Sequence, residues 1–377
     1  MEGLISFGNT FLNRKVFITG VTGFKGSWLS LWLCKLGAKV LGYSLPPNTF
    51  PNHYSLLNFG NIPGFTESIT GDVRDISLLN KTIKEFKPDI IFHLAAQALV
   101  SESYTKSIET LETNIIGTSN IFEICKTCDS VKVVINVTTD KCYKDKKSLQ
   151  RYIEEDELGG HDIYSASKAC SEIITDSYRA SFFDIENYKK THNVLLSSVR
   201  AGNVIGGGDW NRNRIIPDLV QAAYIDEETI IRSPYSIRPW QHVLDVLAGY
   251  LCLCQKLIEG RKEYSGAWNF GPEDILTVYQ VAEQAKKYWD KINYISNNDA
   301  PSFHETDLLT LNSSKSWSKL GWKNVWTASE SIEKTILWYK TYYTDGIILS
   351  ENNIDEYNDK KYRGAYDESK KSKTEDT

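Results

Sequence analysis

The stretch Lys15-Val16-Phe17-Ile18-Thr19-Gly20-Val21-Thr22-Gly23-Phe24-Lys25-Gly26 decides how this chain is read. Val16 to Thr19 is a short apolar, β-branched run suited to a buried parallel strand, and Ser27-Trp28-Leu29-Ser30-Leu31-Trp32-Leu33 opens a helical pattern behind it. Between them lie glycines spaced G-x-x-G-x-x-G. Glycine lets the backbone turn with positive φ and lets a pyrophosphate come close, while a helix N-terminus supplies unpaired N–H groups and partial positive charge. The stretch therefore outlines a dinucleotide site. A glycine turn is also an ordinary device for joining a strand to a helix, so the residues downstream must decide.

At 377 residues the chain can bury a sizeable core and is expected to hold two domains, or one with a lobe. A formal net charge of -5 and the lack of a basic block in the first 340 residues argue against nucleic acid as the main partner. No segment approaches the ~20 consecutive apolar residues of a membrane span, and no apolar leader with a cleavage site opens the sequence. The expectation is a soluble, cytoplasmic protein without membrane or nucleic-acid partners. Cysteines at 34, 125, 128, 142, 170, 252 and 254 form no disulfide framework and fit a reducing compartment. Cys125-Lys126-Thr127-Cys128 has no second pair at finger spacing, so plain thiols are expected and no metal site.

Strand and helix signals alternate beyond the glycine turn. Ala38 to Tyr43 reads as a second strand, but no acid follows it to hold an adenosine ribose, which leaves NAD against NADP open. Ile69-Thr70-Gly71-Asp72-Val73-Arg74-Asp75 reads as a short strand with polar residues at its end, where Asp72 either meets a nucleotide or caps a helix. Pro88 to Gln97 is a fourth strand closing on Leu94, Ala95 and Ala96, where a flat ring could pass the backbone; His93 reads as a hydrogen-bonded core residue. Val131 to Val137 is a fifth. This rhythm predicts a parallel doubly wound sheet with ligands outside the carboxyl ends of the strands.

Tyr164-Ser165-Ala166-Ser167-Lys168 places a phenol and an ammonium on one helix face. A free phenol ionises near 10, and a nearby cation would bring it toward the working range of a general base. Thr139, at the carboxyl end of the fifth strand, is positioned to share a proton with Tyr164.

Together these residues resemble the Thr, Tyr, Lys set of the extended short-chain dehydrogenase/reductase superfamily, and the likeness continues through Asn203, Arg238-Pro239-Trp240-Gln241-His242-Val243, Trp268-Asn269-Phe270-Gly271 and Leu320-Gly321-Trp322. Asp140 after Thr139 points within it to nucleotide-sugar 4,6-dehydratases, and Thr139-Asp140-Lys141-Cys142-Tyr143 with Arg200 to Trp210 and Pro234 to His242 resembles those acting on CDP-glucose. The usual acid pair is Asp-Glu; Lys141 replaces the second member, and reads either as the C5 base or as an ion-pair partner of Asp140.

The resemblance implies an α/β Rossmann-like doubly wound sheet with a smaller, discontinuous C-terminal substrate lobe. Residues 14–200, with about 236–260 returning, would form the NAD-binding domain; 201–235 and 261–342 the lobe; 345–377 a polar tail, mobile or surface-lying. It further implies NAD held by Gly20, Thr22, Gly23, Phe24, Lys25, Gly26, Asp72, Val73, Leu94, Ala95, Ala96, Tyr164 and Lys168. Catalysis would fall to Thr139, Asp140, Lys141, Tyr164 and Lys168, and the nucleotide sugar to Asn203, Arg238 and His242, with a salt bridge to Asp245 as the structural alternative for Arg238. CDP-glucose would be the substrate, a homodimer or dimer of dimers the assembly, and deoxysugar and lipopolysaccharide biosynthesis the setting. A GDP-linked hexose or heptose dehydratase, a C4 epimerase, or a non-catalytic NAD-binding regulator are the alternatives.

Overall fold

The computed structural model describes residues 6–146, 150–296 and 309–361. Its centre is a parallel sheet of seven strands: β1 Lys15–Thr19, β2 Lys39–Ser44, β3 Phe65–Thr70, β4 Ile90–His93, β5 Val133–Val137, β6 Leu195–Ala201 and β7 Ala267–Phe270, in the spatial order β3-β2-β1-β4-β5-β6-β7. The order reverses between β1 and β4, where an open α/β sheet forms its ligand crevice. The third strand ends at Thr70, so Gly71 to Asp75, read from sequence as part of it, forms the loop and helix cap beyond.

Period-two alternation explains why both faces of the sheet are covered. Val16, Ile18, Ile90, Phe92, Val133 and Ile135 point into one core, shared with α1 Phe24–Lys35 and α6 Val243–Ile258. Phe17, Leu41, Ile91, Val134 and Leu196 point into the other, shared with α2 Ile76–Phe86 and α3 Gly117–Cys125. Beside them runs α4 Ile163–Ser181, capped by Asp162 accepting from the Ser165 N–H. Buried residues run unbroken from Gly26 to Cys34, so α1 is enclosed on all sides rather than amphipathic.

The second lobe contains α5 Ile215–Tyr224, α7 Val278–Tyr288 and the parallel pair Glu228–Ile231 with Asn293–Ser296. Ala267–Phe270, allotted by sequence to that lobe, instead pairs with β6 as the edge of the main sheet, where its Trp268 and Phe270 are buried. A second correction concerns the tail. Residues 350–361 are helical, with Ile354 and Tyr357 buried, because Tyr357 lies edge-on against Trp32 and Trp326 and donates to Asp245 at 2.8 Å. The remainder of the expected tail, 362–377, lies outside the described residues, as do 297–308 of the expected lobe.

Candidate active site

A cleft of about 1200 Å³ opens along the carboxyl ends of β1 to β6 and reaches into the second lobe. Gly20 turns at φ +73°, and a Cβ there would stand 2.7 Å from the Ala95 nitrogen; a Cβ at Gly26 would stand 2.1 Å from the Gly20 carbonyl oxygen. These two glycines let β1, the β4 loop and α1 come together. Gly23 has only a 3.3 Å contact and serves as the N-cap without any side-chain hydrogen bond, and no acid occupies the first turn. The N-terminal N–H groups of α1 are therefore left for an anion on the cleft side. Thr22, Phe24, Lys25, Val73, Leu94, Ala95 and Ala96 line the same cleft.

At the end of β2, Ser44 and Thr22 share a 2.7 Å hydrogen bond in place of an acid. Asp72 also lines the cleft, but Arg74 holds its carboxylate through the backbone N–H at 2.8 Å and through Nη2 at 2.7 Å, which keeps that carboxyl below its usual range. His93 is a core residue, bonded to Thr19 at 2.7 Å and Thr118 at 3.1 Å, and burial lowers it to about 3.

Thr139 donates to Asp140 at 3.0 Å, and Lys141 donates to the same Asp140 oxygen at 3.4 Å. Asp140 is buried while Lys141 is partly exposed. Tyr164 and Lys168 face them from the first turns of α4. Burial pushes the Tyr164 phenol up to about 12, the hydrogen bond with Thr139 draws it back, Asp140 raises it and Arg214 lowers it. Lys168 donates to the Val137 carbonyl at 3.2 Å, and burial, opposed by Glu172, brings its amine down to about 8. Of the charges acting on Tyr164, Arg214 favours the phenolate, and burial outweighs it.

Asn203 and Arg238 line the far part of the cleft. Asn203 sits on a strand, Asn203–Ile205, paired with Trp240–His242, and Arg238 donates to the Ile237 carbonyl at 2.9 Å. The proposed alternative partner of Arg238, Asp245, is instead buried on α6, bonded to the Val325 N–H at 2.6 Å and to Tyr357. His242 does not reach the cleft. It is fully buried, caps α6 by accepting from the Leu244 N–H at 3.2 Å, and lies edge-on against Trp28 and Trp326. Its ring is the wedge between α1 and α6, which overrides the sequence assignment to substrate.

Residues 17–335 match the family model described as GDP-mannose 4,6 dehydratase. The chain belongs to that family. It is 42% identical over 354 residues to a CDP-glucose 4,6-dehydratase of Salmonella typhimurium, covering 93% of this chain and 97% of the relative. A dTDP-D-glucose 4,6-dehydratase of Dictyostelium discoideum is 26% identical, covering 91% and 85%. Among solved structures, a dTDP-glucose 4,6-dehydratase from Bacillus anthracis in complex with NAD superposes with a TM-score of 0.69 at 22% identity, covering 87% of this chain and 97% of that one. A UDP-glucuronic acid 4-epimerase from Bacillus cereus in complex with UDP-glucuronic acid and NAD gives 0.73 at 20% identity, covering 87% and 100%.

Several cleft residues of this family member escaped the sequence reading. Arg214 donates to Asp209 at 2.6 Å and acts electrostatically on both Tyr164 and Lys25, whose amine burial and Arg214 together lower to about 8. Asp218 lines the lobe end of the cleft, where burial raises it to about 6 against the pull of Arg232. The run Arg212-Asn213-Arg214 was the available signal, a basic loop directly after the glycine-rich one. Among the described residues, no group of three or more His, Cys, Asp or Glu could hold a metal, and no helix is long and apolar enough to cross a membrane.

Proposed function

We propose that this protein converts CDP-D-glucose to CDP-4-keto-6-deoxy-D-glucose with loss of water, using one NAD that is regenerated in each cycle. The observation that carries the reading is the meeting of Thr139 and Asp140 with Tyr164 and Lys168 at one cleft, in a chain 42% identical to a CDP-glucose 4,6-dehydratase. Epimerisation at C4 has no use for an acid at Asp140, and the intact Tyr164 and Lys168 speak against a non-catalytic binder.

The residues fit a nicotinamide dinucleotide. The Gly20 to Gly26 turn and the uncapped start of α1 would hold the diphosphate, Asp72 and Val73 the adenine end, Leu94 to Ala96 the passage between, and Tyr164 and Lys168 the nicotinamide ribose. When bound, NAD supplies the hydride acceptor for C4 and the hydride donor for C6. Tyr164 takes the proton of the 4-hydroxyl, with Thr139 as its hydrogen-bond partner. The resulting ketone acidifies the C5 hydrogen, and a base removes it while Asp140 passes to the departing 6-hydroxyl a proton drawn from Lys141, its hydrogen-bond donor. Lys141 donates to Asp140 at 3.4 Å. It therefore acts as the partner that keeps Asp140 in place, and the C5 base is another group or water.

Arg238 and Asn203 are assigned to the sugar nucleotide's diphosphate; guanidinium geometry suits phosphate oxygens. A cytoplasmic enzyme supplying deoxysugars, including those of lipopolysaccharide, is the setting we infer. A homodimer is supported by Ile108, Ile116 and Ile173, exposed apolar residues on helical segments of the first domain. Incubation of the purified protein with NAD and a panel of CDP-, GDP-, UDP- and dTDP-hexoses, read by mass, tests the function. CDP-glucose should lose one water; loss from another nucleotide only, or interconversion without mass change, would replace this reading by a rival.

A further inference from the structure

Tyr164, Lys168 and Glu172 stand four residues apart on α4 and so share one face. The first two face the cleft, whereas Glu172 is 2% exposed and turned toward the sheet. Its carboxylate accepts hydrogen bonds from Thr138, from Ser198 at 2.6 Å and from Arg200 at 2.8 Å. Burial raises this carboxyl, but Arg200 and the hydroxyl donors outweigh burial and hold it below the usual range. Arg200, 3% exposed, uses its other terminal nitrogen to donate to the Tyr143 hydroxyl at 2.7 Å and the Glu154 carbonyl at 2.9 Å. Tyr143 in turn donates to Asn269 at 2.8 Å.

Thr138 and Tyr143 flank the short turn Thr139-Asp140-Lys141-Cys142, whose 3₁₀ segment runs Asp140–Cys142. One end of the turn is bonded to Glu172 and the other to Arg200, and those two residues are ion-paired to each other. We infer that the buried Glu172–Arg200 pair is a positioning clamp that fixes the turn carrying Asp140 relative to the helix carrying Tyr164 and Lys168, and so couples elimination to oxidation. A planar guanidinium can hold a carboxylate with one nitrogen and a phenol with the other; a lysine in its place has one nitrogen and cannot span both. Partial breakage leaves the Tyr164 helix intact and loosens only the turn. Oxidation at C4 then continues, because the Thr139 hydrogen bond to Tyr164 is not among those cut, and loss of water, which draws on Asp140 directly, falls behind.

This inference rests on the dehydratase reading, and the experiment separates the two. Thr138→Val and Tyr143→Phe each remove one hydroxyl at opposite ends of the turn and leave the ion pair in place. With CDP-glucose and NAD, single-turnover samples are quenched and reduced with borodeuteride, and the hexose carrying deuterium only at C4 is separated by mass from the dehydrated product. Each variant should slow dehydration by about ten- to a hundredfold, the worth of one hydrogen bond to a charged partner, while ketone formation stays close to wild type. Arg200→Lys should show the same split and fail to restore it. Circular dichroism melts identify a variant that does not fold, and in that case Tyr143→Phe and Thr138→Val stand in for each other, with Ser198→Ala as a third cut to the same carboxylate. Oxidation and dehydration falling in parallel, or neither falling, would overturn the clamp. A wild-type protein that removes no water from CDP-glucose would overturn the parent reading instead.

Discussion

In the proposed reaction Tyr164 takes the 4-hydroxyl proton, and burial pushes its phenol up to about 12. Tyr164→Phe keeps the ring and removes the acceptor; ketone formation should slow by roughly 10²–10⁴-fold, the usual cost of losing a general base. A single-turnover assay of ketosugar checks it, and near-normal formation would remove Tyr164 from the role. Asp140 and Lys141 should behave differently because neither is needed at C4. Asp140→Asn and Lys141→Met should both accumulate 4-ketosugar and lose dehydration. In heavy water, Lys141→Met should still exchange the C5 hydrogen on the proposed reading of Lys141 as the partner of Asp140. Failure of exchange in that variant alone would instead make the lysine the base. Sequence could put both readings of Lys141 side by side but could not choose, because the choice depends on where its amine points.

At the level of elements, the two close glycine contacts make unequal predictions. A methyl at Gly26 would meet the Gly20 carbonyl at 2.1 Å, backbone that cannot yield without moving the turn, whereas one at Gly23 meets the same atom at 3.3 Å. Gly26→Ala should therefore weaken NAD binding and destabilise the fold by about 1–3 kcal/mol, the range for overpacking; Gly23→Ala should cost much less stability. Calorimetric titration with NAD and urea melts read both, and equal effects would mean that the turn is not set by this contact. The glycine turn, the strands β1, β2, β4 and β5 and the Tyr164 helix were legible because each depends on a local pattern, β-branched runs or a four-residue spacing. What was not legible depends on partners far along the chain. His242 reads as a polar residue beside a cleft motif until Trp28 and Trp326 close on it, and Arg200 reads as the start of a loop until Glu172 is seen beside it. The helix at 350–361 hid for the same reason: its composition is polar, and its two apolar anchors, Ile354 and Tyr357, are buried, Tyr357 against Trp32 hundreds of positions earlier.

Over the whole molecule, three histidines are held neutral by burial, His53, His93 and His242, each lowered from 6.5 to about 3. Between those values the unfolded chain binds a proton at each and the folded chain does not, so stability falls as pH drops from about 6.5 toward 3. Asp245 and Asp218 oppose them: raised by burial to about 7 and about 6, they are protonated in the fold before they are in the unfolded chain, and they favour the fold as pH falls from those values to 3.8. Three groups against two leave a net loss approaching about 1 to 1.5 kcal/mol per pH unit where all titrate. Urea unfolding at stepped pH should show it, and a stability that stayed flat or rose between pH 6 and pH 4 would be incompatible with neutral histidines. Trp32 carries a separate consequence. Phe7 covers one side of its ring at 6.0 Å and Tyr357 another at 5.5 Å. The two neighbours come from opposite directions along the chain, Phe7 from before the helix that carries Trp32 and Tyr357 from long after it. One aromatic neighbour of this indole thus comes from a helix hundreds of residues later in the chain, and a truncation before Tyr357 should leave that side of Trp32 bare.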